Sequence, residues 1–443
     1  MSVRTDILVD GSASGRGAGF AVLGVNGLRA MDLSNEALTT RELLNATTTT
    51  QNVAFSTAQT FLGTMGLNTL TLGVGGSFAR AASALDSGVL TVNAGGILAL
   101  GDASIGAPRI ASSGATVPLW VAVPNPGTVL AMDGGVVTTG GVVKSGDGTL
   151  SLNQGSYISG GSGMVINGGT VRLNGGTNTL VPSVGVSMPV GTDVRLNAGV
   201  LNLNGADQTI GSLQSVGTLR GTGGSVMSTA PAELIVASAS STTFAGALGG
   251  AVSLTKSGAG TLALAGESST AGAVQVYGGT LSLTNGGRFS NASSVKVGPG
   301  STLSLDNTGL LTVANGVGAT PVTLDSGTLE FKGRLGNDAF TTAGVTLGSG
   351  SSTLKTVLYG NTSLGTGSVS VTMDSLTRAS AYSTVIFGGT VMPGGGKAGI
   401  PGSWNQVNSG ANAEIRFTNH PTTGFAGIAG FLGPWAVSYD GTN

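Results

Sequence analysis

The chain has 443 residues, of which 79 are glycine, 9% are charged and 5% are aromatic, and its formal net charge is −1. A hydrophobic share of 40% excludes an intrinsically disordered chain, which requires low hydrophobicity, and the glycines follow no three-residue period, which excludes collagen. Basic and acidic residues nearly balance at 19 and 20, so we expect no nucleic acid partner. The chain contains no cysteine, which excludes disulfides and thiolate metal sites.

Residues 1–55 are interpreted as a junction or as one or more N-terminal coils. They hold the one helical pattern of the chain, Ser34 to Asn45, with Ser34 as a candidate N-cap and leucines at 38, 43 and 44. Gly15 to Phe20 (GRGAGF) has closely spaced glycines, as in nucleotide-binding turns. No strand–helix unit surrounds this segment and no Gly-Lys-Ser or Gly-Lys-Thr loop occurs in the chain, so we interpret it as a turn and expect no cofactor.

Residues 56–335 repeat one short phrase. Its full form, Lys-Ser-Gly-x-Gly-Thr-Leu-x-Leu, occurs at Lys144–Leu152 and again at Lys256–Leu264. The second half of the phrase returns roughly every 19 to 26 residues, a period typical of solenoid coils. These echoes begin at Gly148, Gly169, Gly260, Gly279, Ser301 and Gly327.

Each echo has the pattern of a short strand between two turns. In Gly279–Asn285 (GTLSLTN), Leu281 and Leu283 alternate with hydroxyl residues, which predicts a strand with one apolar face. Glycine or asparagine at either end supplies the backbone conformations that a tight corner needs. We therefore predict an all-β fold, a right-handed parallel β-helix (β-solenoid) of about 20-residue coils.

Charged side chains are sparse, and we identify no catalytic residue. The best acidic group comprises Asp306, Asp325 and Glu330, with Lys296, Lys332 and Arg334 nearby. Paired carboxylates on a β-helix would suit a polysaccharide hydrolase or lyase. The simpler interpretation is that such carboxylates cap turns or keep the outer face soluble. Three further charged residues are interpreted as corner residues: Lys144, Asp147 and Lys256.

The sequence predicts no metal site. His420 is the one histidine, in a loop that contains proline, so neither a zinc site nor a Ser/His/Asp triad could draw on a second histidine. No calcium-binding Gly-Gly-x-Gly-x-Asp set recurs.

Aromatic side chains suggest an alternative, a carbohydrate-binding platform, since their rings could stack on sugars. Among the tryptophans, only Trp404 and Trp435 are near one another in sequence, and tryptophan at the start of a strand more often packs partly buried. The candidates are Trp120, Tyr157, Tyr277, Tyr382, Trp404, Trp435 and Tyr439.

Residues 336–443 are interpreted as irregular terminal coils or as a junction to a following unit. Met392–Gly402 (MPGGGKAGIPG) predicts a projecting loop, whereas Ala413–Phe417 (AEIRF) predicts a further strand.

The repeated phrase, followed about twenty residues later by x-Gly-Gly-Thr-Leu-x-Leu, resembles the autotransporter-associated β-strand repeat of bacterial surface passenger proteins. The match is best over Leu254–Leu283, where Glu267–Gly272 replaces the aromatic corner usual in that family. The resemblance covers most of residues 60–335. Segments near the two ends of the chain also resemble the two parts of one phrase from longer proteins of this kind. These segments are Gly433–Asn443 and Gly19–Met31. We therefore expect the chain to be a fragment.

This resemblance implies an exported β-solenoid at the bacterial cell surface, associated with the outer membrane through other parts of a longer chain. The implied role is structural, adhesive or that of a spacer, without catalysis. Expected partners are a cell-surface glycan, the surface of a host or neighbouring cell, or further copies joined end to end; no membrane span is expected. The alternative is a polysaccharide-acting enzyme or a carbohydrate-binding β-helix.

Overall fold

The structure is a computed structural model that describes residues 3–10, 12, 18–39, 50–61, 63–80, 88–161, 163–181, 183–184, 189–313, 315–334, 336–358, 368–391, 412–419 and 436–439. Over these ranges the regular structure is β-strand, and no helix is long and apolar enough to cross a membrane. The chain divides into two compact units. We call them the N-terminal unit (Met1–Val216 with Gly224–Ala232) and the C-terminal unit (Gly217–Gly223 with Glu233–Asn443).

The N-terminal unit begins with a three-stranded antiparallel sheet: β1 (Val3–Asp10), β2 (Ala18–Gly24) and β3 (Gly27–Ala30). Phe20 and Val22 of β2 are buried in one cluster with Met31, Leu98 and Ala122. Leu98 and Ala122 belong to the parallel strands described next, so the small sheet packs against them by burying its apolar face.

The predicted helix over Ser34 to Asn45 is wrong for its described part, residues 34–39. The Asp32 carboxylate accepts the N–H of Ser34 at 3.0 Å and closes a turn. Leu38 then forms a parallel bridge with Val53. Pairing with the neighbouring strand therefore takes the backbone groups that a helix would have used. The remainder of the pattern lies outside the described residues.

Twenty-one further strands follow, the last of which, β24, crosses the boundary between the units. They are β4 (Asn52–Phe55), β5 (Ala58–Phe61), β6 (Met65–Leu72), β7 (Ser77–Arg80), β8 (Val89–Ala99), β9 (Ala103–Ile105), β10 (Arg109–Ser112), β11 (Leu119–Ala122), β12 (Val129–Met132), β13 (Gly135–Thr138), β14 (Val142–Ser145), β15 (Thr149–Leu152), β16 (Tyr157–Ile158), β17 (Met164–Ile166), β18 (Thr170–Leu173), β19 (Ser183–Val184), β20 (Pro189–Val190), β21 (Thr192–Leu196), β22 (Val200–Asn202), β23 (Gln208–Gln214) and β24 (Ser225–Ala237).

These strands stack in parallel as three walls. The first wall contains β4, β6, β8, β11, β14, β17, β21 and β23. The second contains β5, β7, β9, β12, β15, β18, β22 and the start of β24. The third contains β10, β13 and β16 with the first half of β8. The short pair β19–β20 is antiparallel.

The C-terminal unit contains the other nineteen strands. They are β25 (Thr242–Phe244), β26 (Ala247–Ser257), β27 (Thr261–Leu264), β28 (Glu267–Ser268), β29 (Ala273–Val276), β30 (Thr280–Thr284), β31 (Arg288–Phe289), β32 (Ser294–Val297), β33 (Thr302–Asp306), β34 (Val322–Leu324), β35 (Thr328–Gly333), β36 (Asn337–Thr342), β37 (Val345–Leu347), β38 (Ser351–Leu358), β39 (Ser368–Met373), β40 (Leu376–Arg378), β41 (Thr384–Val391), β42 (Asn412–Phe417) and β43 (Ala436–Tyr439).

The same plan organises this unit. Its first wall is β26, β29, β32, β34, β37 and β40, and its second is β25, β27, β30, β33, β35, β38, β41 and β43. Two parallel groups, β28–β31 and β36–β39–β42, lie on the remaining side of the coils. The predicted strand at Ala413–Phe417 is confirmed within β42, whereas the predicted loop at Met392–Gly402 lies outside the described residues.

Register in the second wall of the C-terminal unit follows the repeated phrase. Leucines of successive coils face one another in a ladder, and each is completely buried: Leu262, Leu281, Leu303, Leu329 and Leu354. Burial alternates with the period of two in β27, whereas in β30 and β33 the serine between the two leucines is buried as well. The prediction of a parallel β-solenoid is confirmed.

Candidate functional site

The two copies of the full phrase place a lysine at an inward position of the first wall. Lys144 in β14 stands between Val121 and Ile166 of the neighbouring coils, a row of otherwise aliphatic residues. Lys256 in β26 likewise pairs with Val276 of the next coil. Both lysines are 0% exposed, although lysine is rarely buried without a partner.

Each buried ammonium is held by three backbone carbonyl oxygens, and we call this arrangement the lysine clamp. Lys256 Nζ donates to Ser257 O at 2.6 Å, to Gly258 O at 2.8 Å and to Gly278 O at 3.1 Å. The first two carbonyls belong to the corner that follows the lysine, and the third belongs to the next coil. The clamp therefore ties two successive coils together.

The N-terminal unit contains the same clamp at Lys144. Its Nζ donates to Ser145 O at 2.9 Å, to Gly146 O at 2.7 Å and to Gly168 O at 3.2 Å. An ammonium has three N–H donors and no acceptor, so three carbonyls satisfy it completely. Two occurrences with matching partners indicate that the clamp is a property of the repeat.

The clamp explains the residue types of the phrase. Gly146 and Gly258, the third residue of each copy, have φ values of +78° and +77°, which lets the corner turn its carbonyls toward the lysine. In the following coil, Gly279 has φ +60°, and a Cβ placed there would lie 2.3 Å from Gly260 O. Glycine at this position thus permits the close approach that brings the Gly278 carbonyl within reach of Lys256.

Burial also changes the protonation of both lysines. Loss of water around the ammonium lowers the pKa of Lys144 to about 8 and the pKa of Lys256 to about 8. The nearby Asp147 carboxylate acts in the opposite direction on the pKa of Lys144. The clamp therefore titrates closer to neutral pH than an exposed lysine does.

Sequence reasoning missed the inward position of these residues, because it interpreted the lysines as corner residues. A usable signal was present: Val142 and Lys144 are two residues apart in one strand, and so are Leu254 and Lys256. Period-two alternation places both members of each pair on the same face of the sheet.

The acidic group proposed from sequence separates into two ion-paired sites. Asp306 and Glu330 both contact Lys332, at 4.0 and 3.2 Å, and Glu330 also contacts Lys355 at 3.2 Å. Strand register produces this arrangement, since Asp306 lies beside Lys332 and Glu330 beside Lys355 on successive coils. The charges form a ladder of alternating sign along the second wall.

Asp325, the third member of the group, pairs instead with Lys296 on the first wall, at 2.7 Å. This lysine lowers the pKa of the Asp325 carboxyl, whereas a general acid requires a raised pKa. Arg334, expected nearby, pairs with Asp338 at 3.8 Å. The geometry thus favours structural ion pairs for these residues.

Among the described residues, the two aromatic candidates of the N-terminal unit lie on different walls. Trp120 lies on the first wall of the N-terminal unit and Tyr157 on its third wall. Tyr277 and Tyr382 belong to the C-terminal unit and are 48% and 90% exposed. His420, Trp404 and Trp435 lie outside the described residues, as does the side chain of Tyr439. No group of three or more potential metal-ligating side chains occurs among the residues described.

The comparisons with known proteins agree with this geometry. The family model of the passenger-associated-transport-repeat matches residues 142–173 and 254–283, and each match contains one complete lysine clamp. The chain is a β-solenoid in which these two segments are similar to the passenger-associated-transport-repeat, and the resemblance to the autotransporter-associated repeat is confirmed.

One relative extends the comparison. Over 178 residues, 39% of this chain, the sequence is 34% identical to a protein described as an adhesin, the BmaC autotransporter of Brucella suis biovar 1 (strain 1330). The aligned segment makes up 5% of the length of that relative. No solved structure matches the chain significantly.

Proposed function

We propose that this chain is a segment of an exported bacterial passenger that is displayed at the cell surface, where it acts as an adhesive or structural β-solenoid. The observation that carries the proposal is the coincidence of each matched repeat with one lysine clamp and one pair of stacked coils. The similarity to an autotransporter adhesin supports export and surface display as the setting of these coils.

The physical properties of the coils suit this role. Inward aliphatic ladders stabilise each coil through its neighbours, and two carbonyl-bound lysines add to this at the matched repeats, so the stacked coils form a surface without disulfides. The surface in turn can meet a partner over several coils. We propose a cell-surface glycan, or the surface of a host or neighbouring cell, as that partner, and end-to-end contact between copies as a further interaction. Association with the outer membrane is proposed to occur through other parts of the parent protein.

Surface display can be tested by placing this chain between a signal sequence and an autotransporter translocator in a Gram-negative host. The proposal expects an epitope inserted beside exposed Tyr382 to be accessible to antibody on intact cells and removable by added protease. Cells bearing the chain should also adhere to immobilised glycans or to other cells more than cells bearing the translocator alone. Retention of the folded chain in the periplasm, or display with no gain in adhesion to any surface, would contradict the corresponding part of the proposal.

A polysaccharide-acting enzyme is not proposed as a second candidate. The residues that suggested it, Asp306, Asp325 and Glu330, are each paired with a lysine.

A further inference from the structure

Two tyrosines of the C-terminal unit lie on the same edge of its coils, which we call the tyrosine edge. Tyr277 is in the corner between β29 and β30, and Tyr382 is in the corner between β40 and β41. Each of these corners joins a strand of the first wall to a strand of the second wall. The first wall stacks β29, β32, β34, β37 and β40 in that order, so the tyrosines are four coils apart. At the spacing of stacked strands, this is roughly 19 Å along the edge.

The Tyr277 ring lies over a glycine in the next corner of the edge. A Cβ added to Gly298 would lie 2.6 Å from Tyr277 Cδ1 and 3.1 Å from its Cε1, so the ring uses the space of the missing side chain. The residue remains 48% exposed. Its hydroxyl donates to Gln275 Oε1 at 2.5 Å, and its backbone N–H donates to Lys256 O at 2.9 Å. Both the ring and the backbone of Tyr277 are therefore held in place beside the lysine clamp.

Tyr382, at the other end of the edge, is 90% exposed. Arg378 at the end of β40 braces its corner, because Nη2 donates to Ala381 O at 2.6 Å and to Ser383 O at 2.9 Å. The backbone N–H of Tyr382 also donates to Ser380 Oγ at 3.2 Å. The corner thus presents the ring to solvent from an ordered backbone, so less conformational freedom is lost on binding.

The part of the edge between the tyrosines carries no net charge. Its three corners, residues 298–301, 325–327 and 348–350, contain one charged residue, Asp325. Lys296 Nζ lies 2.7 Å from Asp325 Oδ2, so the two charges cancel. The other residues of these corners are glycine, serine and proline. Serine hydroxyls both donate and accept hydrogen bonds. This part of the edge therefore suits a neutral ligand that is rich in hydroxyl groups.

The spacing of the coils points to a sugar polymer. Successive corners follow one another at about 4.7–4.9 Å, which is close to the length of one sugar unit in an extended chain. A glycan lying along the edge would pass about one corner with each sugar and would meet a tyrosine toward each end. A tyrosine ring offers an apolar surface to the C–H face of a sugar, and its hydroxyl offers a polar contact.

We propose that the tyrosine edge binds an extended, neutral, β-1,4-linked glycan along its length, with Tyr277 and Tyr382 packed against two of its sugar rings. The inference deepens the proposed surface role, on which it rests, by naming the glycan class. Two separate contacts on one polymer reinforce each other, because the second contact forms at a high effective concentration once the first has formed.

The test measures the binding of four probes to the purified full chain. Cellohexaose is extended, neutral and long enough to reach both tyrosines, whereas cellobiose can reach only one. Maltohexaose has the composition of cellohexaose but a coiled shape, and a cellouronic acid hexamer has the extended shape with a carboxylate on each ring. We expect cellohexaose to bind at least tenfold more tightly than cellobiose or maltohexaose. The cellouronic acid hexamer should bind no more tightly than cellohexaose.

Variants then locate the site. Tyr277→Ala and Tyr382→Ala should each weaken cellohexaose binding by about tenfold. Each should change cellobiose binding by no more than about twofold, because the disaccharide still has the other ring. Tyr277→Phe should leave cellohexaose binding within about twofold, because the ring remains. Leu310→Ala is the matched control: it removes a side chain that is 76% exposed after β33, on another edge of the same unit, and should have no effect.

Failure of cellohexaose to bind, or binding no tighter than that of cellobiose or maltohexaose, would overturn the proposal. Tighter binding of the cellouronic acid hexamer would overturn it too, by making charge the basis of the interaction, as would equal losses from Tyr277→Ala and Leu310→Ala. Tyr277→Phe and thermal unfolding curves separate lost contacts from lost folding. Because this assay uses the purified chain without an inserted epitope, its failure leaves the surface-display experiment unaffected, and the reverse also holds.

Discussion

At the scale of single residues, the lysine clamp balances two large opposing effects. Removing an ammonium from water is costly, but a buried carbonyl without a hydrogen-bond donor also costs about 1–3 kcal/mol. Lys256 donates to three carbonyls at once, two of them in the corner that follows it. An aliphatic residue at this position would fill the space without donating a hydrogen bond to those acceptors.

We therefore expect Lys256→Ala to lower the free energy of unfolding by about 3 kcal/mol, through the lost hydrogen bonds and the cavity left by the side-chain stem. Lys296→Ala serves as the control, since the Lys296 side chain is 42% exposed in an ion pair with Asp325 and its loss should cost less than about 1 kcal/mol. Urea denaturation of the three proteins measures both values. Similar costs for the two variants would mean that the clamp adds nothing beyond a surface charge.

The clamp also predicts a pH dependence of stability. Burial lowers the pKa of Lys144 and Lys256 to about 8 from 10.5, so between these values the unfolded chain binds more protons than the folded chain. Stability should accordingly rise as pH increases from about 8 to about 10.5. Comparing urea midpoints at pH 7.5 and pH 10 tests this, with the Lys144→Met, Lys256→Met double variant as reference. A parallel pH response of the two proteins would refute the assignment.

The sequence allows the inward lysine of the clamp to be predicted, but not the carbonyl on the next coil that the lysine binds. The alternation from Val142 to Lys144 is local and readable, so the inward direction of the lysine was predictable. The partner at Gly168 lies 24 residues away, and nothing in a single sequence marks its carbonyl as an acceptor. The general expectation that lysine is solvated then outweighed the alternation.

At the scale of strands and coils, the fold depends on register between equivalent phrases. Leu281, Leu303 and Leu329 stack directly over one another, each completely buried, and the same side of each strand faces inward in every coil. A one-residue slip would turn the leucines outward and the hydroxyl residues inward, so burial itself fixes the register.

Leu303→Ala should therefore cost about 2–5 kcal/mol, because the coils above and below hold the cavity open. Leu311→Ala provides a matched control with the same chemical change at a residue that is 47% exposed, where we expect a cost below about 1 kcal/mol. Thermal and urea unfolding would measure the difference. If both leucines behaved alike, the ladder would not be the stabilising element that its burial indicates.

Local pattern predicted most of these elements correctly. The phrases beginning at Gly260, Gly279 and Ser301 lead into β27, β30 and β33, because alternation and glycine corners are encoded within seven residues. The helix prediction failed over residues 34–39, the described part of that pattern, because Leu38 pairs with a strand whose partnership is set by three-dimensional stacking. Long-range pairing also separated Asp325 from Asp306 and Glu330, which sequence proximity had grouped.

At the scale of the whole molecule, each of the two compact units contains one clamp and its own stacked walls. Stability in repeat proteins is approximately a sum over coils and their nearest-neighbour contacts. A substitution that removes one clamp should consequently destabilise only the coils beside it. The same substitution at Lys144 and at Lys256 then tests the effect twice within one chain.

Hydrogen exchange with mass spectrometry can test this independence. In Lys144→Ala we expect faster exchange in residues 119–173 and unchanged exchange in residues 247–284, and in Lys256→Ala the opposite pattern, because each clamp joins only its own pair of coils. The wild-type chain supplies the reference rates. Accelerated exchange in both regions from either substitution would instead establish that the chain unfolds as a single cooperative body.

The third carbonyl of each clamp makes the order in which neighbouring coils fold matter. Gly278 follows Lys256 by 22 residues, so the binding place for the ammonium is finished by the chain that comes after it. When a coil docks onto a C-terminal neighbour that is already folded, the Gly278 carbonyl is already in position to accept the hydrogen bond. A coil that folds first leaves its lysine facing water on the open side and must shed that water later. Adding coils toward the N terminus should therefore have a lower barrier at each clamp than adding them toward the C terminus. Refolding the chain under mechanical load from one end and then from the other should give unequal rates.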